Sequence, residues 1–203
     1  EYEVLSPEKP NNPAHKLRKT CHMCLIALEP DNLEHVCWPE GLWGNAKKYR
    51  HLAKIKDEPV YQQVYGGECI SHVMQTARNN GFFVTYNHPT WSGENYNTYM
   101  NYNGMNALEI CNFECICLGN DEHNERVYDE MLKSGKRIYC IAADDNHNKN
   151  LPDSFGCFVM IKAKKLKYEA ITEALFNGDF YSSTGPEIYE LYVEDNKVHI
   201  KCS

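Results

Sequence analysis

The 203-residue sequence has no apolar run approaching the roughly 18 residues that a membrane-spanning helix needs. Residues 1–4 show none of the basic and apolar regions of a signal peptide. Lysine and arginine form no basic stripe and the formal net charge is −7, which argues against binding an extended nucleic acid. These absences predict a soluble, cytoplasmic protein with neither a membrane nor an extended nucleic acid as partner. A small phosphorylated substrate stays compatible, because bound divalent cations would reverse the charge locally.

Repeats of fixed period and low-complexity tracts are also absent. With 42% hydrophobic residues, the chain suits one substantial core and is short for two ordinary domains. Its ten cysteines fall in apolar, strand-like runs such as residues 110–117, which predicts free, buried, reduced thiols and not a disulfide scaffold. Because the chain begins at Glu1 and not at Met, we expect the native protein to extend upstream. No pattern indicates an oligomeric state.

Apolar periodicity predicts strands that alternate with helices along most of the chain. The predicted strands are 20–28, 82–86, 107–111, 137–143 and 158–163, and the predicted helices are 70–80, 125–133 and 168–176. This alternation predicts a largely parallel sheet or barrel covered by helices. Residues 187–203 differ, because two apolar runs flank Asp195, Asn196 and Lys197, which predicts a β-hairpin and the start of a C-terminal β appendage.

Two segments with candidate ligands directly follow predicted strands, where parallel α/β folds gather their catalytic residues. His88 precedes Pro89, which ends the strand and holds the imidazole at its rim; a structural histidine is an equally good interpretation. Asp145 and His147 stand two residues apart and face the same side of an extended backbone. A carboxylate and a neutral imidazole suit zinc, manganese or iron better than calcium, and an acidic capping loop is the alternative. The neighbouring Asp144 either supports a ligand or is simply solvated.

A third candidate, His22, lies within the predicted strand 20–28, between Cys21 and Cys24. Two cysteines near one histidine would also fit a zinc knuckle or a redox pair. A zinc knuckle needs a second ligand pair, which does not follow, and a redox pair usually opens a helix. We therefore interpret both thiols as packing residues and His22 as the candidate ligand.

Four ordered segments resemble the later motifs of the PHP (polymerase and histidinol phosphatase) family of metal-dependent phosphoesterases. They are residues 83–92 (FVTYNHPTWS), 107–112 (ALEICN), 141–148 (IAADDNHN) and 178–187 (GDFYSSTGPE). The order and spacing of these segments match the family over most of the chain. The resemblance implies a distorted (β/α)7-type barrel that carries two or three divalent metal ions, zinc, manganese or iron, at its C-terminal rim.

The resemblance also implies the residues of the site. The implied metal ligands are Glu1, His22, His88, Asp145 and His147. His22 and His88 would bind one ion together with a bridging glutamate, for which Glu1 is the first candidate and Glu3 the second. Asp145 would help to hold another ion and His147 a third, which makes these two the candidate catalytic residues.

Asn112 and Trp91 are weaker candidates for substrate binding. Asn112 follows a predicted strand, where an asparagine also serves as a simple turn former. Trp91 follows His88 in a loop rich in glycine, asparagine and tyrosine, which is typical of a substrate-binding lid and also of an ordinary surface loop.

The chain departs from the family at its start, because the His-x-His signature of the first strand is absent and is expected upstream of Glu1. Residues 1–186 would be the C-terminal two-thirds of the domain, lacking its first strands, and 187–203 the hairpin. A barrel without its first strands leaves open edges and exposed apolar surface. If the chain is a non-catalytic remnant of the fold, we therefore expect it to be destabilised and poor in metal when purified alone.

The function implied by the resemblance is a metal-dependent hydrolase, a phosphoesterase that uses a metal-activated water. The same water activation would serve a carboxylic or carbamate ester, which is the first alternative. The second alternative is a non-catalytic binding remnant of the fold, because the family's N-terminal ligand set is missing.

Overall fold

Strands and helices alternate in the computed structural model, which describes residues 1–7, 18–39, 48, 50–56, 61–147 and 152–203. Its strands are β1 (Tyr2–Leu5), β2 (Thr20–Ala27), β3 (Glu34–His35), β4 (Lys54–Ile55), β5 (Phe82–Asn87), β6 (Ala107–Asn112), β7 (Tyr139–Ala143), β8 (Phe158–Ile161), β9 (Phe180–Ser183), β10 (Ile188–Glu194) and β11 (Lys197–Cys202). Its helices are α1 (Gly67–Asn79), α2 (Tyr96–Tyr99), α3 (Phe113–Cys117), α4 (Glu125–Lys133) and α5 (Tyr168–Asn177), with a 3-10 turn at Arg50–Leu52. None of these described helices is long and apolar enough to cross a membrane.

Five strands form one mixed sheet in the order β1-β2-β5-β6-β7. Strand β2 runs antiparallel to both β1 and β5, whereas β5, β6 and β7 run parallel to one another. His22, near the start of β2, pairs with Asn87 at the end of β5. The start of β2 and the ends of β5, β6 and β7 therefore meet at one edge of the sheet, which we term the carboxyl edge.

Apolar side chains pack on both faces of this sheet, which explains why all six residues of β5 are buried. On one face the helices α1 and α4 contribute buried residues to the largest apolar cluster, among them Ile70, Val73 and Met131. On the other face Phe83 packs with Leu175 of α5. Because β5 is covered on both sides, its sequence is a continuous apolar run and shows no alternation.

The predicted (β/α)7-type barrel is wrong. Within the described residues the five-stranded sheet is open, and β1 and β7 are its outer strands. The alternation of strands and helices in the sequence predicts parallel strands joined by helical crossovers. Strand β2, however, is antiparallel to both of its neighbours. In addition, β8 and β9 flank α5 and pair antiparallel with each other in a separate two-stranded sheet, so they do not extend the parallel series. The chain is a mixed α/β protein with an open sheet.

Several local predictions are confirmed. Helix α4 matches the predicted helix 125–133, and α5 ends one residue beyond the predicted 168–176. Helix α1 begins at Gly67, earlier than the predicted start at residue 70. The predicted hairpin is formed by β10 and β11, with Asp195 and Asn196 both at positive φ, 47° and 59°, as a type I′ turn requires. The division of the chain into 1–186 and 187–203 stays a prediction.

The prediction of free thiols is wrong for Cys111 and Cys157, which form a disulfide between the end of β6 and the loop before β8. Their Cα atoms lie 6.5 Å apart, within the range that a disulfide spans. The other eight cysteines are free, as predicted, but only Cys21, Cys37 and Cys115 are buried; three are partly buried and two are exposed, namely Cys24, Cys69 and Cys140, and Cys117 and Cys202. The apolar runs in the sequence do not indicate that Cys111 and Cys157 form a disulfide, because these two cysteines lie on separate structural elements.

Candidate metal centre

Separate segments of the chain bring acids and histidines together at the carboxyl edge. His22 in β2 lies directly opposite Glu3 in β1, and Glu1 precedes that strand. His88 follows β5, and Asp145 follows β7. The antiparallel placement of β2 explains why a histidine near the start of a strand meets residues that follow the ends of other strands.

The closest contacts surround His22. Its Nδ1 lies 2.6 Å from Nε2 of His88, and its Nε2 lies 3.0 Å from a carboxylate oxygen of Glu1 and 3.0 Å from one of Glu3. The His88 Nε2 lies 3.9 Å from Asp145 Oδ2. The two histidine side chains are only 9% and 3% exposed. We term Glu1, Glu3, His22 and His88 the inner group.

The Nε2 atom of His22 is a buried ring nitrogen without a hydrogen-bond partner among the described residues. Two carboxylate oxygens lie 3.0 Å away, but neither contact has hydrogen-bond geometry. The two carboxylates nevertheless stabilise the protonated imidazole of His22, so this nitrogen is paired electrostatically. A divalent cation would satisfy this nitrogen and both carboxylates, since imidazole and carboxylate are common ligands of such ions.

The pKa values of the inner group follow from burial and from neighbouring charges. Burial lowers the pKa of His22, but the carboxylates of Glu1 and Glu3 outweigh this effect and raise that pKa to about 9. His22 in turn lowers the pKa of Glu1 to about 2 and also lowers that of Glu3. Burial and the adjacent charge of His22 lower the pKa of His88 to about 4. His88 is therefore a neutral imidazole at pH 7, the state that a metal ligand requires.

A second cluster, which we term the outer group, consists of Glu114, Asp145 and His147. Its ligand atoms all lie within 4.8 Å of one another. His147 Nδ1 is 2.7 Å from Glu114 Oε2 and 3.7 Å from Asp145 Oδ1, and the His147 side chain is 57% exposed. Partial burial lowers the pKa of His147, but the backbone carbonyl of Asp145 and the two carboxylates raise it above its ordinary value. Within the outer group His147 is the most exposed side chain, since Glu114 and Asp145 are 15% and 26% exposed.

Sequence reasoning missed Glu114. This residue lies in the first turn of α3, directly after β6 ends at Asn112. An acid in the first turn of a helix is usually interpreted as a partner of the helix dipole, which hides other roles. The available signal was its position just beyond a central strand of the sheet, next to strand ends that carry His88 and Asp145.

The two weaker candidates for substrate binding differ in the structure. Asn112 is fully buried, and its amide nitrogen donates to Asp145 Oδ2 at 3.1 Å and to Glu109 Oε2 at 3.0 Å. It therefore orients Asp145 and is not accessible to a substrate. Trp91 is partly buried, and its ring meets the His88 imidazole edge to face, with centroids 5.1 Å apart and an interplanar angle of 87°. Trp91 lies beside the centre, and its role in substrate binding stays a prediction.

A further buried acid, Glu94, lies in the loop that follows His88. Its carboxylate accepts hydrogen bonds from the hydroxyls of Tyr65, at 2.7 Å, Tyr86 and Tyr102. Burial raises the pKa of Glu94 to about 7, although the three hydroxyls act in the opposite direction. This carboxyl group therefore titrates near neutral pH in the folded protein.

We expect Glu94 to make the protein less stable as the pH rises from 6 to 8, by about 1 kcal/mol. The pKa of about 7 in the folded state lies above the ordinary value of 4.5, so between these two pH values the folded state holds a proton that the unfolded state has lost. That contribution is lost as the pH rises through 7. Chemical denaturation at three pH values should give a flatter profile for Glu94→Gln than for the native protein. Equal slopes for the two proteins would contradict this assignment.

The fold and the two groups define a candidate divalent-metal centre at the edge of an open mixed sheet. A scan of the sequence against models of known protein families gives no match. A search of the curated proteins finds none with significant similarity. The resemblance to the PHP family therefore rests on the four sequence motifs alone.

Proposed function

We propose that the protein is a metal-dependent hydrolase that cleaves a small phosphoester with a metal-activated water. The observation that carries the proposal is the convergence of Glu1, Glu3 and His88 on His22, one of whose buried ring nitrogens lacks a hydrogen-bond partner among the described residues. These residues come from separate segments of the chain.

The donor set fits a divalent transition metal. Imidazole nitrogens and carboxylate oxygens are ligands of zinc, manganese and iron. In the part of the chain that the structure describes, no lysine or arginine forms an ion pair with the carboxylates of the inner or outer group. Acidic charge gathered without basic partners favours the binding of cations.

The inner group would hold one ion and the outer group a second. Bound there, such ions polarise a phosphoryl oxygen and lower the pKa of a coordinated water from 15.7 towards roughly 7. Residues of the chain orient the candidate metal ligands. The Asn112 amide donates to Asp145 Oδ2 and so orients that carboxylate. Ser92 Oγ lies 3.1 Å from Nδ1 of His88, so the other ring nitrogen, Nε2, is directed at the centre.

The histidines of the inner and outer groups differ in their exposure to solvent. The inner histidines are shielded from solvent, whereas the side chains of Glu1 and Glu3 are 54% and 39% exposed. His147 is largely exposed, so a substrate would approach from the outer group. The edge of Trp91 lies against His88 and would offer an apolar surface to the leaving group of the substrate.

A carboxylic or carbamate ester is the second candidate substrate. The observation that favours it is the lack of lysine or arginine paired with the acids of the centre within the described residues. A phosphate would find its positive partners only in bound ions, whereas an ester carbonyl needs no cationic clamp. The metal-activated water is common to both candidates.

Metal content and hydrolysis, measured on the same preparation, test the proposed function. We expect zinc, manganese or iron to copurify with or bind to the chain, and 4-nitrophenyl phosphate to be hydrolysed faster than 4-nitrophenyl acetate. Chelation should abolish the hydrolysis and added metal should restore it. Preference for the acetate would favour the second candidate. Bound metal without turnover of either ester would favour the non-catalytic alternative, and absence of both metal and activity would contradict the proposed function.

A further inference from the structure

Two residues of the centre have backbone conformations that side chains disfavour. His88 has a φ of 27° and Asp145 a φ of 53°, both in the left-handed region. Asparagine and aspartate tolerate this region better than other residues with side chains, so His88 is the more unusual case. Such conformations persist only where the surrounding structure holds them.

The turn that directly follows His88 is held by Glu122, a fully buried acid in the connection between α3 and α4. Its Oε1 accepts the N–H of Thr90 at 3.1 Å, and its Oε2 accepts the N–H of Trp91 at 2.6 Å. The Asn124 side chain donates to Oε1 at 2.8 Å and accepts from the Thr90 hydroxyl at 2.8 Å. Glu109 Oε2 accepts the N–H of His88 itself at 2.8 Å, and Glu122 then fixes the path of the backbone that follows.

The segment at Asp145 is held in the same manner by the acid that precedes it, Asp144. The carboxylate of Asp144 accepts the backbone N–H groups of Phe155, Gly156 and Cys157, the last two at 2.9 Å. Asp144 is therefore not simply solvated. Among the described residues neither Glu122 nor Asp144 forms an ion pair with lysine, arginine or histidine, so backbone amides are their main partners.

We propose that Glu122 and Asp144 are positioning residues that hold His88 and Asp145 in their left-handed conformations before any metal binds. The inference rests on the proposed metal centre and adds the two residues whose hydrogen bonds pre-organise it. Glu122 receives backbone N–H groups two and three residues after His88, whereas Asp144, the neighbour of Asp145, receives those of the loop before β8. The binding of a cation then costs less conformational entropy, because two of its ligands already point towards it.

Replacing each carboxylate by its amide tests this role with little change of volume. In Glu122→Gln one carboxylate oxygen becomes an NH2 group, which places a donor against the N–H of Thr90 or Trp91. In Asp144→Asn the same conflict arises with the N–H groups of the loop before β8. The matched control is Glu94→Gln, an equally small change at a buried acid whose partners are tyrosine hydroxyls.

The measurement is zinc affinity, determined on the full chain by competition with a chromogenic chelator. We expect Glu122→Gln and Asp144→Asn to weaken zinc binding by about 10- to 100-fold and Glu94→Gln to change it by less than about twofold. A merely structural role would lower the thermal stability of all three variants and leave the zinc affinity of the folded protein unchanged, which would overturn the proposal. If the native chain binds no zinc, manganese or iron, both the proposed function and this inference fail. If the native chain binds zinc and the two variants bind it equally well, only this inference fails.

Amide hydrogen exchange of the metal-free native protein gives a test that needs no variant. We expect the N–H groups of Thr90 and Trp91 to be protected before metal is added, because the Glu122 carboxylate already accepts them. Rapid exchange of both amides without metal would overturn pre-organisation even if the variants did not fold.

Discussion

Replacing His88 with alanine is expected to lower kcat/KM for an aryl phosphate by about a thousandfold, equivalent to about 4 kcal/mol of transition-state stabilisation. His88 contacts both His22 and Asp145, so its loss removes the imidazole that lies between the inner and outer groups. Its low pKa, about 4, means that a neutral ligand is lost at neutral pH. Steady-state kinetics with saturating zinc or manganese measure the effect.

The matched control for this substitution is His72→Ala. His72 is an exposed histidine on α1 that stacks on Tyr61 and contacts Thr76, so it belongs to neither group of the centre. We expect its removal to leave kcat/KM within about twofold, since a surface substitution away from a site has little effect. Equal activity of the His88 and His72 variants would contradict the assignment of the centre.

Metal binding is expected to raise the melting temperature of the chain by about 5–10 °C at a free metal concentration about 100 times the dissociation constant. That excess of a ligand that binds only the folded state stabilises it by about 2.7 kcal/mol. The physical reason here is the inner group, where metal would replace the proton of His22 and relieve the repulsion between the carboxylates of Glu1 and Glu3. Differential scanning calorimetry with and without metal measures the shift.

The His22→Ala variant distinguishes this explanation from nonspecific stabilisation by cations. Without the imidazole between the two acids, the shift in melting temperature should largely disappear. The His72→Ala variant should keep it. A shift of the same size in both variants would place the stabilising metal away from the inner group.

Local structure followed from the sequence where one short pattern determined it. The spacing of Ile70, Val73 and Met74 predicted α1, and Asn196 in a polar stretch between two apolar runs predicted the turn of the hairpin. In both cases the interactions that decide the structure lie within a few residues of one another. The same holds for Pro89, which ends the strand that leads to His88.

The arrangement of the sheet did not follow from the sequence, because it depends on contacts between distant segments. The residues of β2 have the same apolar character whether the strand runs parallel or antiparallel to β5. The side-chain pattern of β8 and β9 likewise does not tell whether these strands join the main sheet or pair with each other. Pairing of Cys111 with Cys157 depends on the same unpredicted arrangement.

The site was predictable in part for the same reason. The motifs selected His22, His88, Asp145 and His147, and the structure places them at the carboxyl edge. That they bind metal stays a prediction. Glu114 and Glu122 could not be identified, because each resembles an ordinary acid until the fold brings it to His147 or to the turn after His88.

The most direct test of the account is the anomalous difference density at the zinc edge of crystals grown with zinc. We expect a peak in contact with Nε2 of His22 and with a carboxylate of Glu1 or Glu3, at ligand distances of about 2.0–2.2 Å. The central claim is that the inner group binds a divalent metal. A fully occupied zinc site elsewhere in the protein, together with an inner group that holds no zinc, would contradict it.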